Sequence, residues 1–289
     1  MVVQQHRRGG GKVAVAAAVL GVMAASGCSG DGAEAADDER PGFGAAHGRL
    51  ADGRTPTDEV RAAADVLLAA GSARARTAME TASGGTRVTI RGEGAYDFRR
   101  RMGRLTVVLP KDPAGTAEHR PVTELMTPGA LYMKNRGAGV PADKWVRIDT
   151  TTLADGNLVT GGATDPLAAA ELLRSAREVT YAGEESSDGV RVRHFRGSAD
   201  IALAARVAEP YARAALAAAA KGFATDIVPF DAYFDDEGRL RKVRHRFSFT
   251  NGSGETVAVS STTTLYGFGT PVSVRLPDAR TIYAGRIRV

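Results

Sequence analysis

Apolar and polar positions repeat along this chain with two different periods, and the switches between them mark its elements. Thr55-Pro56-Thr57-Asp58 opens the first, with a capping Thr, a Pro in the first turn and an acid at the end of that turn. Val60, Ala64, Leu67 and Leu68 then share one helical face, and Gly71 weakens or ends the helix. Beyond it the period falls to two. Val88 and Ile90 alternate with Arg87, Thr89 and Arg91, and Leu105, Val107 and Leu109 form a second run that stops at Pro110. Leu125, Leu131-Tyr132-Met133 and Trp145-Val146-Arg147-Ile148 predict shorter strands separated by Pro and Gly. Thr164-Asp165-Pro166 opens a second helix carrying Leu167, Leu172 and Leu173. Strands with Val179 and Tyr181, then Val190, Val192 and Phe195, flank a Ser187-Asp188-Gly189 turn.

The third helical stretch covers 198–221, with Ile201, Val207, Tyr211 and Leu216 as its larger apolar residues. Pro210 kinks it or starts a second piece, and Gly222 is a natural stop. The rest predicts strands: Pro229–Phe234, Leu240–Thr250 and Thr256–Phe268, with turns at Asp235–Gly238 and Asn251–Gly254. Short turns between neighbouring strands favour an antiparallel sheet over crossover units. Helices inserted between meanders predict an α+β domain whose sheet curls around the helices.

The region before these elements has a different pattern. Residues 1–12 are polar and basic, Val13–Ala25 is apolar and uncharged, and small residues lead to Cys28. That order predicts a secretory signal over 1–27. The apolar run of about 13 residues is shorter than the roughly 20 that cross a bilayer. Residues 29–56 are rich in Gly, Ala and acids and have no apolar period, as expected of a flexible linker. The expected organisation is therefore a signal at 1–27, an anchor and linker at 28–56, and a folded domain at 57–289.

Composition narrows the function. The formal charge is +5, but Arg7, Arg8 and Lys12 lie in the signal, which has no acid, so its removal leaves +2. The basic runs Arg99–Arg101 and Arg239–Arg246 accompany no nucleic-acid module, and no nucleic-acid partner is expected. Cys28 is the sole cysteine, which excludes a disulfide framework and a cysteine zinc site. The five histidines, at 6, 47, 119, 194 and 245, lack zinc spacing, and His194 and His245 are expected as satisfied structural residues in strands. Asp235-Asp236-Glu237-Gly238 lacks the spacing of a calcium loop and is expected as a solvated turn. With no nucleophile elbow and no phosphate loop, neither an enzyme nor a cofactor is expected.

Two resemblances add to this. Ala25-Ser26-Gly27-Cys28 resembles a bacterial lipobox, although Ala25 stands where Leu is usual. It implies that the sulfur of Cys28 carries a diacylglyceryl group, with acyl chains such as palmitate. Each buried methylene contributes about 0.8 kcal/mol, so two or more chains would hold the domain at the outer face of the cytoplasmic membrane. In the folded part, Leu131-Tyr132-Met133 with Lys144–Asp149 resembles a hairpin of LppX/LprG-type lipoproteins. Asp165–Leu173, Val179–Gly183 and Asp188–Phe195 are similar to their next segment. Pro229–Leu240 and Tyr266–Pro277 are similar to their closing strands. The resemblance spans roughly 58–284 and implies a LolA/LolB-like fold, a strongly curved antiparallel half-barrel with helices on its concave face. The residues after Pro277, including Arg280, Arg286 and Arg288, depart from that pattern and would form an extra strand or a basic tail.

The resemblance implies an envelope protein that binds or carries the acyl chains of a lipid or lipoglycan between sheet and helices. Alternation offers Val88, Ile90, Leu105, Val107, Leu125, Met133, Leu172, Val207, Tyr211 and Phe247 as the cavity lining. Alanine-rich helices, as at Ala168–Ala170 and Ala217–Ala220, leave room for such a cavity or let helix and sheet pack closer. In the second case the chain is a non-enzymatic interaction module with a filled core, recognising an envelope protein or cell-wall component. Trp145 is expected as a core or rim anchor.

Overall fold

Eleven strands form one sheet in which every neighbouring pair runs antiparallel. The structure is a computed structural model and describes residues 53–83, 85–110, 120–137, 139–250 and 255–285. The signal, Cys28, most of the linker, the Asn251–Gly254 turn, His119 and the last four residues lie outside the described residues. Helices α1 (Pro56–Arg61) and α2 (Ala63–Ala70) come first, followed by β1 (Ser72–Ser83), β2 (Thr86–Asp97) and β3 (Met102–Val108). Next are β4 (Val122–Thr127), β5 (Ala130–Lys134), β6 (Trp145–Asp149) and α3 (Pro166–Leu172). The chain continues through β7 (Ala176–Ser187), β8 (Val190–Asp200), α4 (Ile201–Val207) and α5 (Pro210–Gly222). It closes with β9 (Ile227–Phe234), β10 (Leu240–Thr250) and β11 (Thr256–Tyr266).

The strand order is β6-β5-β4-β3-β2-β1-β11-β10-β9-β8-β7. The first and last strands therefore meet in the middle, and the two edge strands are consecutive in sequence. Residues 150–175 run from one edge to the other, so they must cross a face of the sheet. They do so on the face that carries the core. Tyr96 of β2 donates its hydroxyl to Asp165, Thr164 hydrogen-bonds Ser261 of β11, and Gly162 lies against Ile90 and Val107.

Alternation explains that face. On β1, Ala73, Ala75, Thr77 and Met79 are buried while Arg74 and Arg76 are exposed. On β3, Leu105 and Val107 are buried while Arg104 and Thr106 are exposed. Val243, His245 and Phe247 of β10 and Phe230, Ala232 and Phe234 of β9 extend the buried face. The outer face is charged. There His194 stacks on Tyr233 at 4.2 Å and bridges Glu185 and Asp231 at 2.8 and 2.9 Å. Both of its ring nitrogens are engaged, as expected of a structural histidine.

Local chemistry sets the helix ends. Thr55 and Asp58 form a reciprocal capping box at α1, and Asp58 is held below the usual carboxylate range mainly by its Thr55 hydrogen bonds. The first helix breaks at Ala62, and Gly71 closes α2. Pro210 starts a new helix: α4 ends at Val207 and α5 begins three residues later. Asp235 departs from the expected solvated turn. It is buried, accepts the N–H groups of Glu237 and Arg239, and pairs with the Arg239 side chain. The C-terminal segment crosses the outer face. Thr270–Ser273 share a groove with Arg74, Ala95 and Arg104, and Ile282 makes a parallel bridge to Trp145 of β6. Among the described residues this bridge is the one strand-like pairing after Pro277, and Arg286 and Arg288 lie outside them. Among the described residues, no helix is long and apolar enough to cross a membrane.

Candidate ligand-binding site

A cavity of about 50 Å³ lies where the inner sheet face meets α3, α5 and the crossing segment. Met126, Leu131, Leu158 and Leu216 supply its apolar wall, and Ala168, Ala212 and Ala215 its small-residue wall. Tyr96, Arg101, Thr127, Thr150, Asn157, Asp165 and Tyr211 supply the polar groups.

Each polar group has a local reason for its position. Tyr96 sits on the inward row of β2, and its hydroxyl reaches Asp165 at 2.8 Å. Asp165 is the N-cap of α3 and accepts the N–H groups of Leu167 and Ala168 at 2.8 and 3.1 Å. Burial raises its pKa, and those three hydrogen bonds pull against the rise. Burial and the neighbouring Asp165 carboxylate push the Tyr96 phenol well above its ordinary value. Tyr211 occupies the first turn of α5 and donates to Glu171 at 3.0 Å. Glu171 also accepts from Arg174 and from the backbone N–H of Glu209, and Arg174 continues to Asp65 of α2. This chain of bonds ties α2, α3 and α5 together. Arg101 ends the β2–β3 turn at φ +57° and stacks over the Tyr211 ring at 4.3 Å.

Helix α5 is seated against the crossing segment by two glycines. A Cβ on Gly156 would stand 2.0 Å from the Ala215 carbonyl oxygen, and one on Gly222 would stand 2.1 Å from that of Ala154. The contact is therefore backbone against backbone. The helix itself buries only Ala212, Leu216 and Ala219, while Phe223 just beyond it stacks on Phe247 at 4.8 Å.

The structure scatters the lining residues proposed from alternation. Leu105, Val107 and Met133 are buried on the inner face, with Val88 and Ile90 half-buried on the same face of β2. Leu172 is buried in α3, and Phe247 lies under the Phe223 ring. Of the ten, Tyr211 alone borders the cavity. Val207 is 46% exposed at the end of α4. Leu125 points to the opposite face, because its pairing partners Arg104 and Tyr132 belong to the outer rows. It is 2% exposed all the same. Trp145 is half-buried on edge strand β6, beneath the Lys134 ammonium.

Sequence reasoning missed the groups in the most unusual surroundings. Glu124 occupies the inward row of β4 between Leu105 and Met133, is fully buried, and among the described residues neither oxygen has a partner. Burial pushes its pKa up to about 8, and Arg136 opposes this only in part. His245, expected as satisfied, has an unpartnered Nε2 between Phe230 and Phe247, and burial brings its pKa down to about 3. The inward phase of Val122-Thr123-Glu124-Leu125-Met126 was the available signal for Glu124. Among the described residues no cluster of His, Cys, Asp and Glu is arranged to hold a metal.

No protein-family description matches the chain by sequence, and no curated protein does. Solved structures are similar in outline. Lipoprotein LppX of Mycobacterium tuberculosis has 13% identity and a TM-score of 0.44, covering 76% of this chain and 98% of its own. LprF of Mycobacterium bovis has 13% identity and a TM-score of 0.39, covering 77% and 96%. A putative outer membrane lipoprotein-sorting protein domain from Vibrio parahaemolyticus has 10% identity and a TM-score of 0.29, covering 75% and 95%. At these values no residue's role transfers to this chain. The fold defines a class, a large open antiparallel sheet with few helices.

Proposed function

We propose that this protein is an envelope lipoprotein that binds the acyl chain of a lipid between the inner, concave face of a curved sheet and helix α5. Cys28 anchors it to the outer face of the cytoplasmic membrane, and residues 29–56 form the tether. The domain carries or presents lipid and performs no catalysis.

One observation carries this reading: the cavity opens against a helix held by little apolar surface. A volume of about 50 Å³ holds a water or two, whereas a drug-sized ligand takes several hundred. An acyl chain therefore enters only if α5 moves. Exposing Ala212, Leu216 and Ala219 costs roughly 5 kcal/mol at about 0.8 kcal/mol per methylene-sized group. Losing the Phe223–Phe247 stack adds about 1 kcal/mol. Burying a chain of about sixteen carbons returns roughly 13 kcal/mol on the same scale. Releasing Tyr211 and the Glu209 N–H from Glu171 adds about 3–6 kcal/mol, so the ligand offsets the closed contacts, and the protein closes on its own side chains when empty.

The small closed volume also favours a second reading, an interaction module whose filled core supports a recognition surface. Native mass spectrometry after gentle purification, paired with titration of a fluorescent fatty acid, separates the two. Bound lipid or saturable uptake supports the carrier. A clean apo mass with no uptake supports the interaction module.

A further inference from the structure

Two side chains at the cavity carry hydrogen-bonding atoms that the described residues leave unmet. Asn157 is 6% exposed, and its Oδ1 has no partner. The Nε–H of Arg101 is buried and also has none. Among the described residues the Arg101 guanidinium makes no ion pair and no hydrogen bond, and its contact is with the face of Tyr211. An unmet buried donor is destabilising, and a charged one more so, which makes such a group a pointer to a missing partner. The nearby acids are not that partner. Asp165 already holds two backbone N–H groups and the Tyr96 hydroxyl, and Glu171 holds Arg174, Tyr211 and the Glu209 N–H. The acids at this site are occupied and the cation is unclaimed.

We propose that the cavity is an oxyanion subsite, in which Arg101 and Asn157 receive the carboxylate or phosphate end of an amphipathic ligand. The inference rests on the lipid-binding reading and names the part of the ligand that enters first. Arg101 donates from Nε and its terminal nitrogens, and an Arg–oxyanion pair of this kind is among the strong hydrogen bonds. Among the described residues the Asn157 Oδ1 has no partner, so the carboxamide can turn its Nδ2–H toward the same group. The closed volume suits a headgroup and not a tail. The tail would continue along Leu131, Leu158 and Leu216 beneath α5.

The test compares a fluorescent polyene fatty acid with its methyl ester on the purified protein, and adds inorganic phosphate in a thermal-shift assay. Arg101 has φ +57° and Asn157 φ +66°, so Arg101→Asn and Asn157→Asp keep residue types that tolerate the left-handed backbone. The wild type should bind the acid about ten- to a hundredfold more tightly than the ester. Either variant should lose that preference with ester affinity unchanged, which also shows that it folds. Equal affinity for acid and ester in all three proteins overturns the subsite and leaves lipid binding standing. If phosphate alone protects the wild type and not Arg101→Asn, the oxyanion is a free one: the subsite stands and lipid binding falls. If acid, ester and phosphate all fail to bind, both proposals fall.

Discussion

Replacing Glu124 with Gln should make the protein more stable in alkali and leave it unchanged in acid. The folded chain keeps the Glu124 proton to about pH 8, while the unfolded chain releases it near 4.5. Between those values the folded state binds more protons, so stability falls as pH rises through the window. The gap of about 3.5 units, at roughly 1.4 kcal/mol per unit, bounds the loss at about 5 kcal/mol. Glutamine has nearly the same shape and never ionises, so the variant escapes this loss while every other titrating group is shared. Urea unfolding of wild type and Glu124→Gln at pH 4 and pH 8.5 isolates the effect. The two curves should nearly coincide at pH 4 and separate by about 3–5 kcal/mol at pH 8.5. Parallel pH profiles would refute the claim that an isolated, desolvated carboxyl sits on the inner face.

His245 should act on the opposite limb. Its folded pKa of about 3 lies below the ordinary 6.5, so the stability it provides is complete above 6.5 and lost as pH falls toward 3. Relative to its own value at pH 7.5, His245→Phe should gain roughly 3 kcal/mol over wild type at pH 4 by chemical denaturation, and an unchanged acid limb would contradict this. Asp165→Ala removes the α3 cap and orphans the Tyr96 hydroxyl, and should cost about 2–4 kcal/mol in urea, where a loss below about 0.5 would count against the cap. Gly156→Ala drives a Cβ into the Ala215 carbonyl at φ +57° and should raise amide exchange throughout α5. Gly129→Ala, with φ +75° and open space around it, is the matched control and should leave α5 protection unchanged.

Where sequence and structure agree, large side chains had made the period audible. The Thr55 capping box, the Trp145–Ile148 strand and the Leu240–Thr250 strand all came from strong local chemistry. The central strand β1 went unread because its inward residues are Ala73, Ala75, Thr77 and Met79, and alanine scarcely registers as apolar in an alanine-rich chain. Burial on both faces misled the reading of β4. A lone strand with Glu124 in one phase and Leu125 in the other suggests that Leu125 faces the core, and only the strand pairing shows otherwise. The cavity was less legible still. Its polar groups come from the β2–β3 turn, the crossing segment, α3 and α5, which no sequence window contains together. Tyr211 was chosen for its size, and it borders the cavity with its phenol committed to Glu171.

The pairing of β1 with β11 divides the domain into two unequal ladders that each assemble from neighbours in sequence. One contains β1 to β6 and the other β7 to β11. Hairpins within a ladder close small loops, but the seam joins Arg74 to Tyr266 and must gather nearly the whole chain. Local contacts form quickly and remote ones slowly. The seam is therefore the last zip to close during folding, and until then two unpaired central edges stand open to intruding strands from other copies.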